Sequence, residues 1–416
     1  MKSRKPFDPA SSVAAVDAPD PLRDPASAAR FMQMCWQRRP ALLRGTDVCR
    51  APGLVEALAP AALRALAADP AVESRLVSRR GRRYRLEQGP IVLGRQPVAN
   101  ARQWTLLVQG VDLHSEVVAR LRERFRFVAD VRLDDIMASL AGDGGGVGPH
   151  VDSYDVFLIQ MHGKRRWRIA PPGPPHWQSG QPLRVLAEFE AREEMLLEPG
   201  DMLYLPPGWG HDGIAVGPDC VTASVGFRAP SAHELLGSFL QDQVDQLLEQ
   251  TPEPDDPEGQ PLPDRLNAAE MRHWQDRPAA LSPGLIRTLT ETLARWRPER
   301  EAMVDFIGRM LTEPKPGTAF ALPTPAKIDS LAERAAIEGI VLDRRTRMAY
   351  LEDTLFINGD SFVCAGRTSA LLAELADRRQ LPRPQLRELL QDPDVSEVLV
   401  DWLDQGWIHP GQKPTS

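Results

Sequence analysis

The sequence predicts an α+β protein. A strand-rich first half is followed by a helical middle and a last unit of small helices around a β-hairpin. Three observations predict this. Short runs of β-branched and aromatic residues, such as Val151 to Met161 and Cys220 to Arg228, fill the first half between Gly- and Pro-rich breaks. From Ser231 to Gln250 the apolar residues switch to a helical period. Near the end, Asn358-Gly359 sits between two extended runs, a strong hairpin signal.

Composition bounds the rest. At 416 residues the chain is long enough for more than one domain. Its 42% hydrophobic and 26% charged residues are those of a soluble globular protein. No apolar run approaches the roughly eighteen residues of a membrane span, so no membrane partner is expected. Residues 1–25 mix charge, Ala, Asp and Pro without a signal-peptide core and read as a flexible N-terminal tail. Cys35, Cys49, Cys220 and Cys364 form no CxxC pair, which suits reduced thiols and a cytoplasmic location. A net charge of -7 argues against broad nucleic-acid affinity. It suits a basic partner or plain solubility equally.

Residues 26–230 carry the strands and the chemistry. The run Gly142 to Pro149 leads into a strand predicted from Val151 through Met161. Side chains alternate along a strand, so His150 and Asp152 at its start share a face. A turn is expected at His162-Gly163, with the chain running back through Lys164 to Ala170. Parity there puts Arg165, Trp167 and Ile169 on one face and Lys164, Arg166 and Arg168 on the other. Arg165 shares its face with two large apolar residues and so points inward. Leu197 to His211 reads as a turn, a short strand and a Pro206-Pro207-Gly208 corner that fixes His211. That corner resembles those of cupin barrels. In Cys220 to Arg228, the residues Val221, Ala223, Val225 and Phe227 are apolar, while Thr222, Ser224 and Gly226 make a small polar face.

Residues 231–312 follow as helices. Ser231 is a candidate N-cap, and Leu236, Phe239, Leu240, Val244 and Leu247 form a stripe. Ordinary packing explains such a stripe; an oligomer contact also would. The Pro- and acid-rich stretch Thr251 to Pro263 interrupts the helices, which resume at Leu285 to Trp296 and Arg300 to Leu311. Residues 313–416 form the last unit: a helix at Ala326 to Glu338, strands at Arg347 to Leu351, Thr354 to Ile357 and Ser361 to Ala365, then helices at Ser369 to Arg378, Arg383 to Leu390 and Val395 to Gln405. The arrangement is winged-helix-like. It carries no dense basic stripe, so direct nucleic-acid binding is not expected.

His150, Asp152 and His211 are the residue types of a 2-His-1-carboxylate triad. Such a set occupies one face of Fe(II) and leaves the other open for a cosubstrate and O₂. The chain has only eight His, and a bare His-x-Asp is mostly a surface pair, so the flanking strings carry the reading. A buried Arg is rarely left unpaired. A protein carboxylate would satisfy Arg165, and so would the far carboxylate of a dicarboxylate such as 2-oxoglutarate. Ser139 and Ser224 would donate either to that cosubstrate or to backbone.

The block Gly144 to Phe157 around His150 and Asp152, Gly163 to Arg168, Pro206 to His211 and Ser224 to Pro230 closely resembles the bacterial JmjC-type ribosomal oxygenases. Trp36 to Leu43 is similar to the opening of JmjC domains. The resemblance implies a double-stranded β-helix catalytic domain, a helical dimerisation region over 231–312 and homodimers. It implies Fe(II), 2-oxoglutarate and O₂. His150, Asp152 and His211 carry over as metal ligands, Arg165 as the 2-oxoglutarate partner, and Ser139 and Ser224 as cosubstrate contacts. The implied reaction is hydroxylation of the β-carbon of an arginine in a large-subunit ribosomal protein. Tyr154, Asp155 and Asp143 are candidates to meet that substrate. Two alternatives stay open: a JmjC oxygenase with another protein target (histidine hydroxylation or demethylation), or a non-catalytic cupin-like binding protein.

Overall fold

The computed structural model describes residues 16–411, except 99, 250–285, 288, 292, 293, 295 and 296. The stretch Thr251 to Pro263 and part of the helix expected at Leu285 to Trp296 therefore lie outside the described residues. Two compact units result, residues 1–229 with 311–416, and residues 230–310.

One extended sheet folds into a barrel. Its strands are β1 (Val16–Asp17), β2 (Ala41–Leu43), β3 (Ser74–Arg80), β4 (Arg83–Gln88), β5 (Trp104–Val108), β6 (Leu133–Ala141), β7 (His150–Val151), β8 (Asp155–Ala170), β9 (Glu193–Leu197), β10 (Met202–Leu205) and β11 (Gly210–Phe227). The main path runs β1-β2-β10-β8-β11-β6-β5-β3-β4, with β7 beside β11 and β9 beside β8. The expected tail is anchored from Val16, where β1 pairs in parallel with β2. Asp24 then caps the helix Pro25–Met34 by accepting from the Ser27 N–H.

The expected turn at His162-Gly163 is instead a bend. β8 continues in one direction from Asp155 to Ala170 and pairs with β11 on both sides of the bend. The register shifts between Val216 and Val221, and Gly163 bends the chain at φ +62°. Both long strands thus serve two layers. Val156 and Leu158 from one half of β8 pack with Trp167 and Ile169 from the other, together with Met195, Leu197, Leu203 and Leu205. These residues line the barrel interior. The outer face of the larger layer carries Phe157, Ile159, Val221 and Val225. It is covered by Phe31, Leu63, Val118 and Leu121 from the helices Pro25–Met34, Pro60–Ala68 and Glu116–Glu123. Each such side chain stabilises the fold by roughly 1.5–3 kcal/mol of apolar burial.

The helix Ala232–Glu249 begins in a capping box: Ser231 Oγ accepts from the Glu234 N–H, and the Glu234 carboxylate accepts from the Ser231 N–H. Phe239 packs edge-on against Phe306 of the helix Arg300–Thr312. Leu236, Leu240 and Val244 stay exposed.

The last unit has a three-stranded wing, β13 (Met348–Leu351), β14 (Thr354–Ile357) and β15 (Asp360–Val363), and a small sheet β16-β12-β17 (Gln380–Leu381, Ile340–Leu342, Ile408–Pro410). Asn358 and Gly359 both have positive φ, as a tight two-residue hairpin turn requires. Ile357, Leu371, Leu375 and Trp402 share its core with the helices Gly366–Arg378 and Pro393–Asp404.

Candidate active site

The strand ends and the Pro-Gly corner assemble the His-Asp-His set. β7 pairs with the start of β11 so that His150 lies opposite His211. The chain then breaks its strand at Asp152, Ser153 and Tyr154 before β8 begins. The Gly208 N–H donates to the Asp152 carbonyl at 2.8 Å, pinning the corner to that break. One ligand atom from each of His150, Asp152 and His211 lies within 4.8 Å of the others. Asp152 Oδ1 is 3.9 Å from His150 Nε2, and Oδ2 is 3.4 Å from His211 Nε2.

Both imidazoles are oriented from behind. His150 Nδ1 is 2.9 Å from the Gly148 carbonyl, and His211 Nδ1 is 3.0 Å from the Trp209 carbonyl. A donor at Nδ1 leaves the Nε2 lone pair facing the Asp152 carboxylate, the arrangement that prepares a metal-binding imidazole. Burial pulls the His150 imidazolium down, helped by His211 alongside. Burial acts the same way on His211, but the Asp152 hydrogen bond and charge outweigh it and raise its pKa. Burial also opposes the Asp152 charge, and the two imidazoles more than offset it, so its carboxyl titrates below the usual range.

The register carries the rest of the site to the same interior. Residues opposite one another across antiparallel strands share a face. Ser224 is opposite Leu158, Thr222 is opposite Gln160 and Ser139, and Arg165 is opposite Ala215 and Leu197. Ser139 and Ser224 are both buried, and Ser139 Oγ donates to the Thr222 carbonyl at 3.3 Å. Arg165 is 4% exposed. Its Nε and Nη2 are buried without a hydrogen-bond partner among the described residues. Lys164 and Arg166 are exposed on the other face, as strand parity requires.

The three substrate candidates separate. Tyr154 is partly exposed beside the ligand set, two residues from Asp152. Partial burial and the Asp152 charge raise its pKa. Asp155 is fully buried and engaged: the Tyr204 hydroxyl donates to Oδ1 at 2.6 Å and Gln37 Nε2 to Oδ2 at 3.1 Å. Asp143 accepts from the Gly217 N–H at 2.8 Å and pairs with Arg102. Gly217 lies six residues beyond His211 on β11, roughly 20 Å along a strand. Asp155 and Asp143 therefore hold the scaffold instead of meeting a guanidinium at the ligand set.

Two inward polar atoms escaped the sequence reading. Trp167 Nε1 and Thr105 Oγ1 are buried without hydrogen-bond partners among the described residues. Trp167 was legible only as an apolar neighbour of Arg165. Its N–H was the unused signal, since a buried Trp normally finds an acceptor.

Two family models match the chain. The JmjC domain family matches residues 120–235, and the ROXA-like winged helix family matches residues 291–409. The ribosomal protein uL16 3-hydroxylase of Escherichia coli (strain K12) is 31% identical over 396 residues, covering 92% of this chain and 97% of that protein. The chain belongs to the JmjC ribosomal oxygenases. A probable ribosomal oxygenase of Haemophilus influenzae is 28% identical and covers 73% of this chain and 78% of its own. The solved structure of YcfD, a ribosomal oxygenase from Escherichia coli in complex with cobalt and 2-oxoglutarate, matches with a TM-score of 0.72 at 29% identity, over 92% of this chain and 97% of that one. Along the chain a JmjC domain is thus followed by a winged helix.

Proposed function

We propose that this chain is an Fe(II)- and 2-oxoglutarate-dependent protein hydroxylase that acts on the β-carbon of an arginine in a large-subunit ribosomal protein. One observation carries the reading. A buried guanidinium with two unpaired nitrogens shares a barrel interior with a His-Asp-His set. A chain folding for itself would pair that charge. A dicarboxylate cosubstrate supplies the missing acceptor, and the donor set is that of a non-haem iron site. The E. coli relative is named for 3-hydroxylation of uL16, which supports the substrate class.

Each residue then has a task. His150, Asp152 and His211 hold the metal, with the Gly148 and Trp209 carbonyls keeping both Nε2 atoms turned toward it. Arg165 anchors the distal carboxylate of 2-oxoglutarate, with Ser139 and Ser224 on the same interior face. Leu158, Ile169, Leu197 and Leu203 exclude water around it. Tyr154 lines the mouth where the substrate side chain arrives. The bound iron, 2-oxoglutarate and O₂ supply the oxidising power that replaces a C–H by C–OH; the protein supplies position.

We further infer a cytoplasmic homodimer formed by the helical region. No helix of the described residues is long and apolar enough to cross a membrane. Leu236, Leu240, Val244, Met303 and Ile307 leave apolar surface exposed on the helices Ala232–Glu249 and Arg300–Thr312. Light scattering of Leu236→Glu/Leu240→Glu should report a monomer where the parent chain reports a dimer; a monomeric parent chain would refute the assembly.

Intact-mass analysis of ribosomal proteins from a deletion strain tests the main reading. A large-subunit protein should be lighter by one oxygen and regain it on complementation, but not with His211→Ala. Unchanged ribosomal masses beside iron-dependent succinate release would point to another protein target. Absence of both would refute the enzyme.

A further inference from the structure

Trp167 stands between the Arg165 guanidinium and the His211 imidazole. Its ring lies 5.8 Å from the Arg165 guanidinium carbon and 6.0 Å from the His211 ring. The side chain is 5% exposed. Its six-membered edge packs on Gly213, where an added Cβ would come within 2.6 Å of Cζ3 and Cη2. The indole nitrogen is on the opposite edge, so the N–H turns away from that strand. It is buried without an acceptor among the described residues, as are Nε and Nη2 of Arg165 beside it. Burying one such donor unpaired is unfavourable, and burying three on adjacent inward residues is more so. A phenylalanine would bury an aromatic ring there without that unpaired donor, leaving only the indole's extra volume unfilled. One anionic acceptor would satisfy them together, and indole N–H is a donor only, so the missing partner must accept.

We propose that Trp167 Nε1 donates to the distal carboxylate of the dicarboxylate cosubstrate, as a third donor nitrogen beside Nε and Nη2 of Arg165. The proposal rests on the reading of the pocket given above and assigns to Trp167 a role in cosubstrate selection. Trp167→Phe deletes the donor and keeps an aromatic ring.

The test is calorimetric binding to the metal-loaded, anaerobic protein with two acids. 2-Oxoglutarate has the distal carboxylate, and 2-oxobutanoate lacks it. Trp167→Phe should weaken 2-oxoglutarate about tenfold and 2-oxobutanoate less than twofold, a charge-assisted hydrogen bond being at stake. In the parent chain with ¹⁵N-labelled tryptophan, one indole N–H resonance should move downfield with 2-oxoglutarate and stay in place with 2-oxobutanoate. That measurement serves even where the variant folds poorly. Equal weakening for both acids would make Trp167 a wall of the pocket and overturn the proposal, as would no weakening or no moving resonance. Arg165→Met run in parallel separates two failures. If it loses 2-oxoglutarate selectively while Trp167→Phe does not, only this proposal falls; if neither variant loses it, the reading of the pocket falls too.

Discussion

Arg165 shows what one residue contributes when it is placed against its own preference. A guanidinium with two buried, unpaired nitrogens costs free energy in the protein alone and would regain it on a bound carboxylate. Arg165→Met should therefore leave the ligand-free protein as stable as before, or more so. The KM for 2-oxoglutarate should rise about tenfold to a hundredfold, from the roughly 1.5–3 kcal/mol of a hydrogen bond to a charged group. Succinate release at varied 2-oxoglutarate checks this; an unchanged KM would remove Arg165 from the pocket. Arg165 was legible because it lies inside an unbroken run of strand, where alternation is reliable. Asp155 was not. Within β8 it has the parity of Phe157 and Ile159, on the face that the helices cover and away from the ligand set. Its partners, Tyr204 and Gln37, come from 49 and 118 residues away.

At the scale of elements, the Asp155 network joins three pieces of chain. The Tyr204 hydroxyl on β10 donates to Asp155 at the start of β8 and accepts the Gln37 N–H at 2.7 Å, just after the first helix. Burial raises the Asp155 pKa despite these donors. A carboxyl raised in the folded state favours folding while protonated and loses that contribution as pH climbs through its folded pKa. Tyr204→Phe removes one donor from a buried carboxylate, which should cost about 1–3 kcal/mol at neutral pH. Because protonation relieves the orphaned charge, the deficit should shrink toward pH 4. Denaturant titrations at the two pH values test it, and a pH-independent deficit would exclude the carboxylate as the cause. The bend at His162-Gly163 belongs to this scale as well. A His-Gly step reads as a turn in isolation. Only the register with β11, set by residues some fifty positions on, makes it a bend in one long strand.

At the scale of the molecule, the winged-helix unit and the barrel form one compact unit, and arginines join them. Arg347 donates to the Leu133 and Asp134 carbonyls at 3.2 and 2.8 Å. From the other side, Arg126 donates to the Ala376 and Asp377 carbonyls and Arg122 to the Arg344 carbonyl. Arg344 donates back to Leu113, and Arg379 pairs with Glu123. Burial, with Arg228 and Arg122 nearby, pushes the Arg347 pKa down to about 10. From sequence these arginines showed only that no basic stripe exists, because their acceptors are backbone carbonyls more than two hundred residues away, invisible to composition. Arginine reaches two carbonyls at once, which a lysine cannot do with the same fixed geometry. The junction should thus depend on them more than on apolar area. Arg126→Ala/Arg347→Ala leaves four carbonyls without their donors and should cost the junction roughly 2–5 kcal/mol. In scanning calorimetry the parent chain should melt the barrel and winged helix together, and the double variant should show the winged helix melting first. Limited proteolysis should then cut between Glu313 and Pro325. A variant that keeps a single transition at the parent temperature would mean that the arginines decorate the junction without holding it.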